Sequence, residues 1–196
     1  MNEGQDSIAR AYVVLPAEHS QIHKGTAFKV TLNIGSMNHS GDNDVDYHFK
    51  TPPGKEVHLQ GITLGAQAAD VTVSVRRGTD ENPLVIDAAG DASDASITGP
   101  NNLNDVLNYS TDAFIGAGST YVDDGGAQDG EAWDKVTLPG GSTNQFQSVG
   151  IATDHPCEEL LLKADTSYII RVENTDGSDT AQGVFVRLFW YERDKI

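Results

Sequence analysis

Apolar and polar residues alternate along most of this chain. In the segment "TAFKVTLNI", the apolar side chains fall at every second position from Phe28 to Ile34, with other residues between them. Successive side chains of a β-strand point to opposite faces, so this pattern predicts a strand with one buried face. The 3.6-residue repeat of an amphipathic helix is almost absent. The pattern therefore predicts an all-β protein.

The same alternation returns in further short segments separated by turn residues. These segments are "VDYHFK", "VHLQGITL" after a Pro-Pro-Gly turn, "ADVTVSVRRG", "NPLVID", and "SYIIRV" after a turn at Ala164 and Asp165. Six or more strands of this kind indicate an antiparallel β-sandwich, and among sandwiches we expect a jelly roll. A length of 196 residues suits one large unit. We expect an extended N-terminal arm over residues 1–26 and one sandwich domain over residues 27–196.

The last predicted strand, "GVFVRLFWYERDKI", is unusually apolar for the end of an acidic chain. Its alternation predicts that Val184, Val186, Leu188 and Trp190 lie on one side of the strand. Phe185, Arg187, Phe189 and Tyr191 then lie on the other side. A strand with two such faces would promote aggregation at an exposed sheet edge. We therefore expect it centrally in the sandwich, or with one face in a subunit interface. Phe185, Phe189 and Tyr191 are the candidate interface residues.

A loop-rich acidic region extends over about residues 87–150. It contains ten acidic residues, ten glycines and one basic residue, Lys135. A structureless loop of this length inside a compact domain would be unusual, so we expect sandwich strands joined by long exposed loops. The segments "DAFIGAGSTYVDD" and "AWDKVTLPGG" are the candidates for those strands.

Net charge excludes several classes of partner. The chain has 13 Lys and Arg against 29 Asp and Glu, which gives a formal net charge of -16. Such a charge repels DNA, RNA and anionic membranes, so we expect neither a nucleic-acid nor a membrane partner. The sequence shows no secretion signal and no apolar run of about 20 residues, which a spanning helix needs. A single cysteine excludes an intrachain disulfide framework and a multi-thiolate zinc site.

Catalytic and metal-binding motifs are absent from the sequence. There is no Gly-x-Ser-x-Gly elbow, the six histidines are scattered, and the many carboxylates give no specific signal for a glycosidase. His19 and His23 are four residues apart, but Gly25 and the strand after it argue against a helix there. We predict no enzyme, no cofactor and no metal. If a hard cation such as Ca²⁺ were bound, the candidate ligands would be the alternate carboxylates in "DNDVDY", namely Asp42, Asp44 and Asp46.

Several segments in a fixed order resemble a family of small virion proteins of tailed bacteriophages. The segments are "EHSQIHKGTAF", "KTPPGKEVHLQGITL", "LLLKADTSYIIRVENTDG" and "VRLFWYE", and the likeness covers about residues 18–192. The resemblance implies a β-sandwich or jelly-roll decoration protein, also called a cement protein. Two departures from the family pattern are the acidic insert and the lack of an arginine cluster after residues 99–102.

What the resemblance implies about function is structural. Proteins of this family bind the outside of an icosahedral capsid, commonly as trimers on three-fold or quasi-three-fold positions, and they offer no catalytic residues to carry over. We therefore expect a homotrimer on the outer capsid surface, made in the host cytoplasm, with the major capsid protein as partner. The family's role also agrees with the charge, because an acidic outer protein keeps particles apart in solution.

The N-terminal arm and the aromatic loop residues suggest two further expectations. Tyr12, Val13, Val14 and Leu15 form an apolar segment that reaches a neighbouring subunit or a shell protein, or else packs on its own sandwich. The alternative function is a carbohydrate-binding or receptor-binding β-sandwich module of a phage tail or fibre. In that case the rings of Tyr109, Tyr121 and Trp133 could stack on sugars.

Overall fold

The protein is seen in a computed structural model that describes most of the chain. The described residues are 17–38, 44–79, 86–87, 96–103, 110–111, 113–117, 120–121, 130–139, 146–152, 160–177 and 179–194. They form one helix, α1 (Ala17–Lys24), and the strands β1 (Ala27–Met37), β2 (Asp44–Lys50), β3 (Lys55–Gln67), β4 (Val71–Arg77), β5 (Ile86–Asp87), β6 (Ser96–Asn102), β7 (Phe114–Ala117), β8 (Thr120–Tyr121), β9 (Glu131–Leu138), β10 (Phe146–Ala152), β11 (Leu160–Leu162), β12 (Ser167–Asn174) and β13 (Ala181–Asp194). No helix in these ranges is long and apolar enough to cross a membrane.

Two antiparallel sheets make up the fold. Sheet A has the order β10-β3-β13-β1-β6, and β11 also pairs with β3. Sheet B has the order β7-β2-β12-β4-β9, while β5 and β8 form a separate two-stranded ladder. The prediction of an all-β antiparallel sandwich is confirmed. The last strand, β13, lies in the middle of sheet A. This agrees with the prediction that a strand with apolar or aromatic residues on both sides lies centrally in the sandwich.

A single apolar cluster lies between the two sheets. The alternation in β1 is confirmed, because Phe28, Val30 and Leu32 are buried while Lys29 is exposed. Trp190 of sheet A contacts Phe49 of sheet B edge to face, with ring centroids 5.5 Å apart. Aromatic pairs of this geometry contribute about 0.5–1.5 kcal/mol beyond the burial of their area. The largest fully buried side chains are Trp190, Tyr47, Phe49, Leu32, Leu64, Leu162, Ile169, Ile170 and Leu188.

Both predicted turns form, and they lie side by side. In the first, Gly54 has a φ of 74°, and in the second Asp165 has a φ of 49°. Thr51 joins the two, because its hydroxyl donates to the carbonyl of Lys163 at 2.6 Å and accepts from the N–H of Thr166 at 2.9 Å. The Pro-Pro-Gly segment is therefore a structural corner that connects β2 to β3.

The expectation that no helix forms around His23 is wrong. Helix α1 covers Ala17–Lys24 and ends at Gly25, whose φ is 71°. The N–H of Gly25 bonds to the carbonyl of Ile22 at 2.9 Å, and the N–H of Thr26 bonds to the carbonyl of Gln21 at 3.1 Å. These two bonds form a Schellman motif, in which glycine adopts the left-handed conformation just after a helix. Gly25 thus ends this helix and is not evidence against it.

The acidic insert contributes strands to both sheets. Strand β6 extends sheet A beyond β1, and β7 extends sheet B beyond β2. The two segments expected to hold strands do so, in β7, β8 and β9. In "NPLVID", the described residues form only the two-residue strand β5. The insert is therefore partly built into the sandwich.

A buried carboxylate connects the insert to β13. Glu192 is 3% exposed, and its Oε1 accepts a hydrogen bond from the Thr111 hydroxyl and another from the N–H of Ala113 at 3.2 Å. The indole Nε1 of Trp190 donates to the same oxygen at 3.4 Å, and Lys55 Nζ lies 3.6 Å from Oε2. A buried carboxylate is tolerated when such donors surround it. Glu192 therefore holds Thr111 and Ala113 of the insert against one end of the sandwich.

Candidate functional site

The outer surface of sheet A carries the aromatic side of β13. Val184, Val186 and Leu188 of this strand are buried in the core, so the alternate residues point away from it. The strand register places Lys29 beside Phe189, and His58 beside Tyr191. We call this surface the aromatic face, and it consists of Lys29, His58, Phe185, Arg187, Phe189 and Tyr191.

The predicted interface residues differ in their exposure. Tyr191 is only 4% exposed, and its ring stacks on His58 with centroids 4.4 Å apart. Phe185 and Phe189 are half-buried, and the guanidinium of Arg187 lies 5.8 Å from the ring centre of Phe185. Phe185 and Phe189 thus offer contact area to a partner, whereas Tyr191 packs within the sheet. The arm residues Tyr12, Val13, Val14 and Leu15 lie outside the described residues.

Small residues on β3 lie beside the aromatic ridge. In the register, Phe189 pairs with Gly61, Arg187 with Thr63, and Phe185 with Gly65. The next strand, β10, continues the same rows with Ala152, Gly150 and Ser148. At about 3.3 Å per residue, the small-residue rows of β3 span roughly 13 Å.

An exposed leucine lies at one end of this surface. Leu161 of β11 pairs with His58 and is 50% exposed. Neither Leu161 nor the small residues of β3 were predicted as site residues from the sequence. The signal for the latter was present in "GITLG", where small residues recur at every second position. The spacing indicates a site only once the pairing of β3 with β13 is known, because that pairing places these small residues beside Phe185, Arg187 and Phe189.

The aromatic face also differs in charge from the chain as a whole. Lys29 and Arg187 are exposed on either side of Phe189. Towards the end of the sheet, Arg193 pairs in register with Glu56, whose Oε2 lies 3.9 Å from His58 Nε2. The described side chains of this face and its end therefore include three cations and one carboxylate, on a chain of net charge -16.

The candidate calcium ligands Asp44 and Asp46 lie on β2 of sheet B and bind an arginine. Arg171 Nε and Nη2 donate to the two carboxylate oxygens of Asp46 at 2.9 and 2.8 Å, and Nε lies 3.4 Å from Asp44 Oδ2. Burial raises the pKa of Asp46, and the bonds from Arg171 oppose that rise. Asp42 lies outside the described residues, which contain no group of three or more His, Cys, Asp or Glu suited to a metal.

One serine and histidine pair is close enough for a hydrogen bond. His48 Nε2 lies 2.9 Å from Ser167 Oγ, and burial together with the nearby charge of Lys50 lowers the pKa of His48. A serine nucleophile also needs donors aimed at a developing oxyanion. Ser167 pairs with Lys50 in the β12–β2 ladder, whose backbone N–H groups are used for strand pairing. The geometry therefore assigns this pair to the stability of sheet B.

Of the three aromatic residues expected to stack on sugars, Trp133 is the one whose side chain the structure describes. Trp133 is half-buried on β9, where the Arg77 guanidinium lies 4.7 Å from its ring centre. The ring also stacks near Tyr168, at 6.3 Å between centroids. Tyr121 lies in β8, and Tyr109 lies outside the described residues. Trp133 is thus held by neighbours in its own sheet.

No family model, curated protein or solved structure matches this chain. Its role must therefore be inferred from its own residues. Three features carry information: the pairing order of the two sheets, the aromatic face on sheet A, and the excess of carboxylates elsewhere in the chain. His48 with Ser167, and Asp44 and Asp46 with Arg171, form contacts within sheet B.

Proposed function

We propose that this protein is a structural virion protein that decorates and stabilises the outer surface of an icosahedral phage capsid. The observation that carries the proposal is the outer face of sheet A in an antiparallel sandwich. This face presents the half-buried Phe185 and Phe189 together with the exposed cations Lys29 and Arg187. Such a face suits a binding module better than an enzyme. The resemblance of the sequence to decoration proteins points the same way.

We assign the sandwich to the jelly-roll class on the order of its pairings. Strand β1 pairs with β13, β2 with β12, β3 with β10, and β4 with β9. These pairs are nested, so the first half of the chain folds back along the second half and the resulting long hairpin is rolled into two sheets. Jelly rolls are common in viral capsid and lectin domains. The nested pairing therefore supports a virion role.

The charge of the chain is consistent with an external position. A net charge of -16 repels packaged DNA and also keeps decorated particles apart in solution. A protein that binds the assembled shell and not its free subunits stabilises the shell by mass action. The expected partner is the major capsid protein, and the expected assembly is a homotrimer that bridges neighbouring shell subunits.

Phe185 and Phe189 are the described residues best placed to meet a neighbour in this assembly. They lie on a central strand, so a partner can contact them without breaking the sheet. We assign the arm residues Tyr12, Val13, Val14 and Leu15 to contacts with an adjacent subunit or with the shell. Removing residues 1–17 should then weaken capsid binding or trimerisation.

Cryo-microscopy of the source particle tests the proposed function. We expect density for two packed sheets on the outer surface of the shell. Particles stripped of the protein should release DNA at a lower temperature than decorated particles, and adding purified protein back should restore the difference. Absence of outer density, together with unchanged DNA release, would contradict the proposal. If glycan arrays then show sugar binding, the carbohydrate-binding alternative is favoured.

A further inference from the structure

The aromatic face has a shape that can receive a partner side chain. Phe185, Arg187 and Phe189 form a ridge along β13, and the small residues Gly61 and Thr63 of β3 lie directly beside it. Gly61 has no side chain and Thr63 has a small one, so β3 contributes little side-chain volume beside the ridge. We call this strip of β3 the trough. An apolar side chain from a partner would contact the ridge on one side and the strand backbone below.

The charges on this face restrict what can cover it. Lys29 pairs in register with Phe189, and Arg187 lies two residues from Phe189 along β13. A partner that buries the Phe189 ring therefore also removes water from both cations. Burying a cation without a counter-charge costs free energy. For a neutral partner, this cost would offset most of the free energy gained by burying the Phe189 ring. Carboxylates beside an apolar residue would satisfy all three side chains.

We propose that the aromatic face docks an acidic segment of a partner protein, with carboxylates at Lys29 and Arg187 and an apolar side chain in the trough. Under the proposed function, on which this identification rests, the partner is the major capsid protein. A second copy of the chain is the competing occupant, and the self-association experiment below decides between it and the capsid protein. Nucleic acid lacks the apolar side chain and is repelled by the net charge of -16.

A synthetic acidic polypeptide tests the chemistry without a capsid. The probe is a random copolymer of glutamate and tyrosine, titrated into labelled protein and followed by amide NMR. We expect shifts at Thr63, Phe185, Arg187 and Phe189 that weaken as salt is added. A copolymer of lysine and tyrosine should instead shift amides near acidic loops. Absence of shifts on the aromatic face with the acidic copolymer would overturn the proposal.

Charge reversal locates the contact. The double variant Lys29→Glu with Arg187→Glu should bind the acidic copolymer about tenfold more weakly or worse, and should lose the salt dependence. The matched control is Lys50→Glu with Lys135→Glu, which makes the same change in net charge at exposed positions on β2 and β9 of sheet B. Equal affinities for the two double variants would overturn the proposal. Circular dichroism and urea unfolding confirm that each variant folds.

Filling the trough tests its shape separately. Thr63→Phe changes no charge and should weaken copolymer binding, whereas Thr137→Phe on the outer face of sheet B should not. If heparin shifts the amides of the aromatic face and the acidic copolymer does not, a sulfated glycan replaces the acidic protein and the proposal fails.

Binding to source particles separates this inference from the proposed function. If the wild type binds particles and the Lys29 and Arg187 double variant binds equally well, the docking proposal fails while decoration stands. If the acidic copolymer maps to the aromatic face but the wild type is absent from particles, decoration fails while the docking chemistry stands. Self-association of the wild type that the double variant abolishes would assign the face to a second copy and overturn the choice of partner.

Discussion

Replacing Glu192 should destabilise the sandwich and detach Thr111 and Ala113 of the insert from it. The carboxylate is 3% exposed and accepts bonds from the Thr111 hydroxyl, the Ala113 N–H and the Trp190 indole. Glu192→Ala leaves the buried Trp190 indole without this acceptor and removes one of the two acceptors of the Ala113 N–H, the other being Thr111 Oγ1 at 3.0 Å. A buried donor without a partner costs about 1–3 kcal/mol. The Lys55 ion pair adds little, because Lys55 is about one-third exposed.

These contributions predict a loss of about 2–3 kcal/mol for Glu192→Ala, mainly from the buried Trp190 indole. Glu192→Gln retains one acceptor oxygen and should lose about 1–2 kcal/mol. Equilibrium unfolding in urea measures both values. Glu56→Gln is the control, since its side chain is 34% exposed and should change stability by less than about 0.5 kcal/mol.

Hydrogen exchange of single amides distinguishes this role from general destabilisation. In Glu192→Ala, the Ala113 amide should lose more protection than the fall in global stability explains, while amides in the middle of β13 should lose only as much as global stability falls. A loss of stability below about 1 kcal/mol would refute the reasoning, because the buried Trp190 indole could not then depend on this carboxylate. Full protection of the Ala113 amide would refute it as well.

Further predictions concern buried polar groups in sheet B. The buried Tyr47 hydroxyl has no hydrogen-bond partner in the described part of the chain, so Tyr47→Phe should be neutral or stabilising by up to about 1 kcal/mol in urea unfolding. Tyr168→Phe is the matched control and should cost about 1 kcal/mol, because the Tyr168 hydroxyl oxygen accepts from the Lys163 N–H at 2.8 Å. Arg171→Met should cost about 3 kcal/mol by leaving Asp46 buried and unpaired, and the double change with Asp46→Leu should recover most of it in the same assay. Because the pKa of His48 is lowered on folding, the unfolded chain binds its proton more readily, and stability falls as pH drops below the ordinary value of about 6.5. His48→Gln should reduce the loss measured between about pH 7.5 and about pH 5.5, and an unchanged pH dependence would contradict this assignment.

Strand positions were predictable because they depend on local sequence. Alternation identifies strands such as β1, and Pro-Pro-Gly identifies the turn before β3, since both signals lie within a few residues. Gly25 shows the limit of local reasoning, because the same glycine breaks a helix or caps its end. Which of these applies depends on the Gln21 and Ile22 carbonyls, and these become available only when the short helix forms.

The candidate site was only partly predictable, because its parts are joined by long-range pairing. Phe185 and Phe189 could be selected from β13 alone, since their side of that strand is aromatic. The neighbouring Gly61 could not, because register shifts in the β13–β3 ladder decide which residues become opposite. A bulge one residue away would place a larger side chain beside Phe189 and fill the trough.

The placement of charged residues also depends on long-range strand pairing, and it decides which partners the aromatic face can bind. The alternate carboxylates on β2 looked like cation ligands, yet Asp46 pairs in register with Arg171, 125 residues away in the chain. That arginine neutralises carboxylates on sheet B, while Lys29 and Arg187 have no comparable acid next to them in the described register of sheet A. Asp44 and Asp46 of sheet B thus pair with Arg171, while Lys29 and Arg187 of sheet A are exposed. A partner is therefore selected by its carboxylates as well as by its apolar surface.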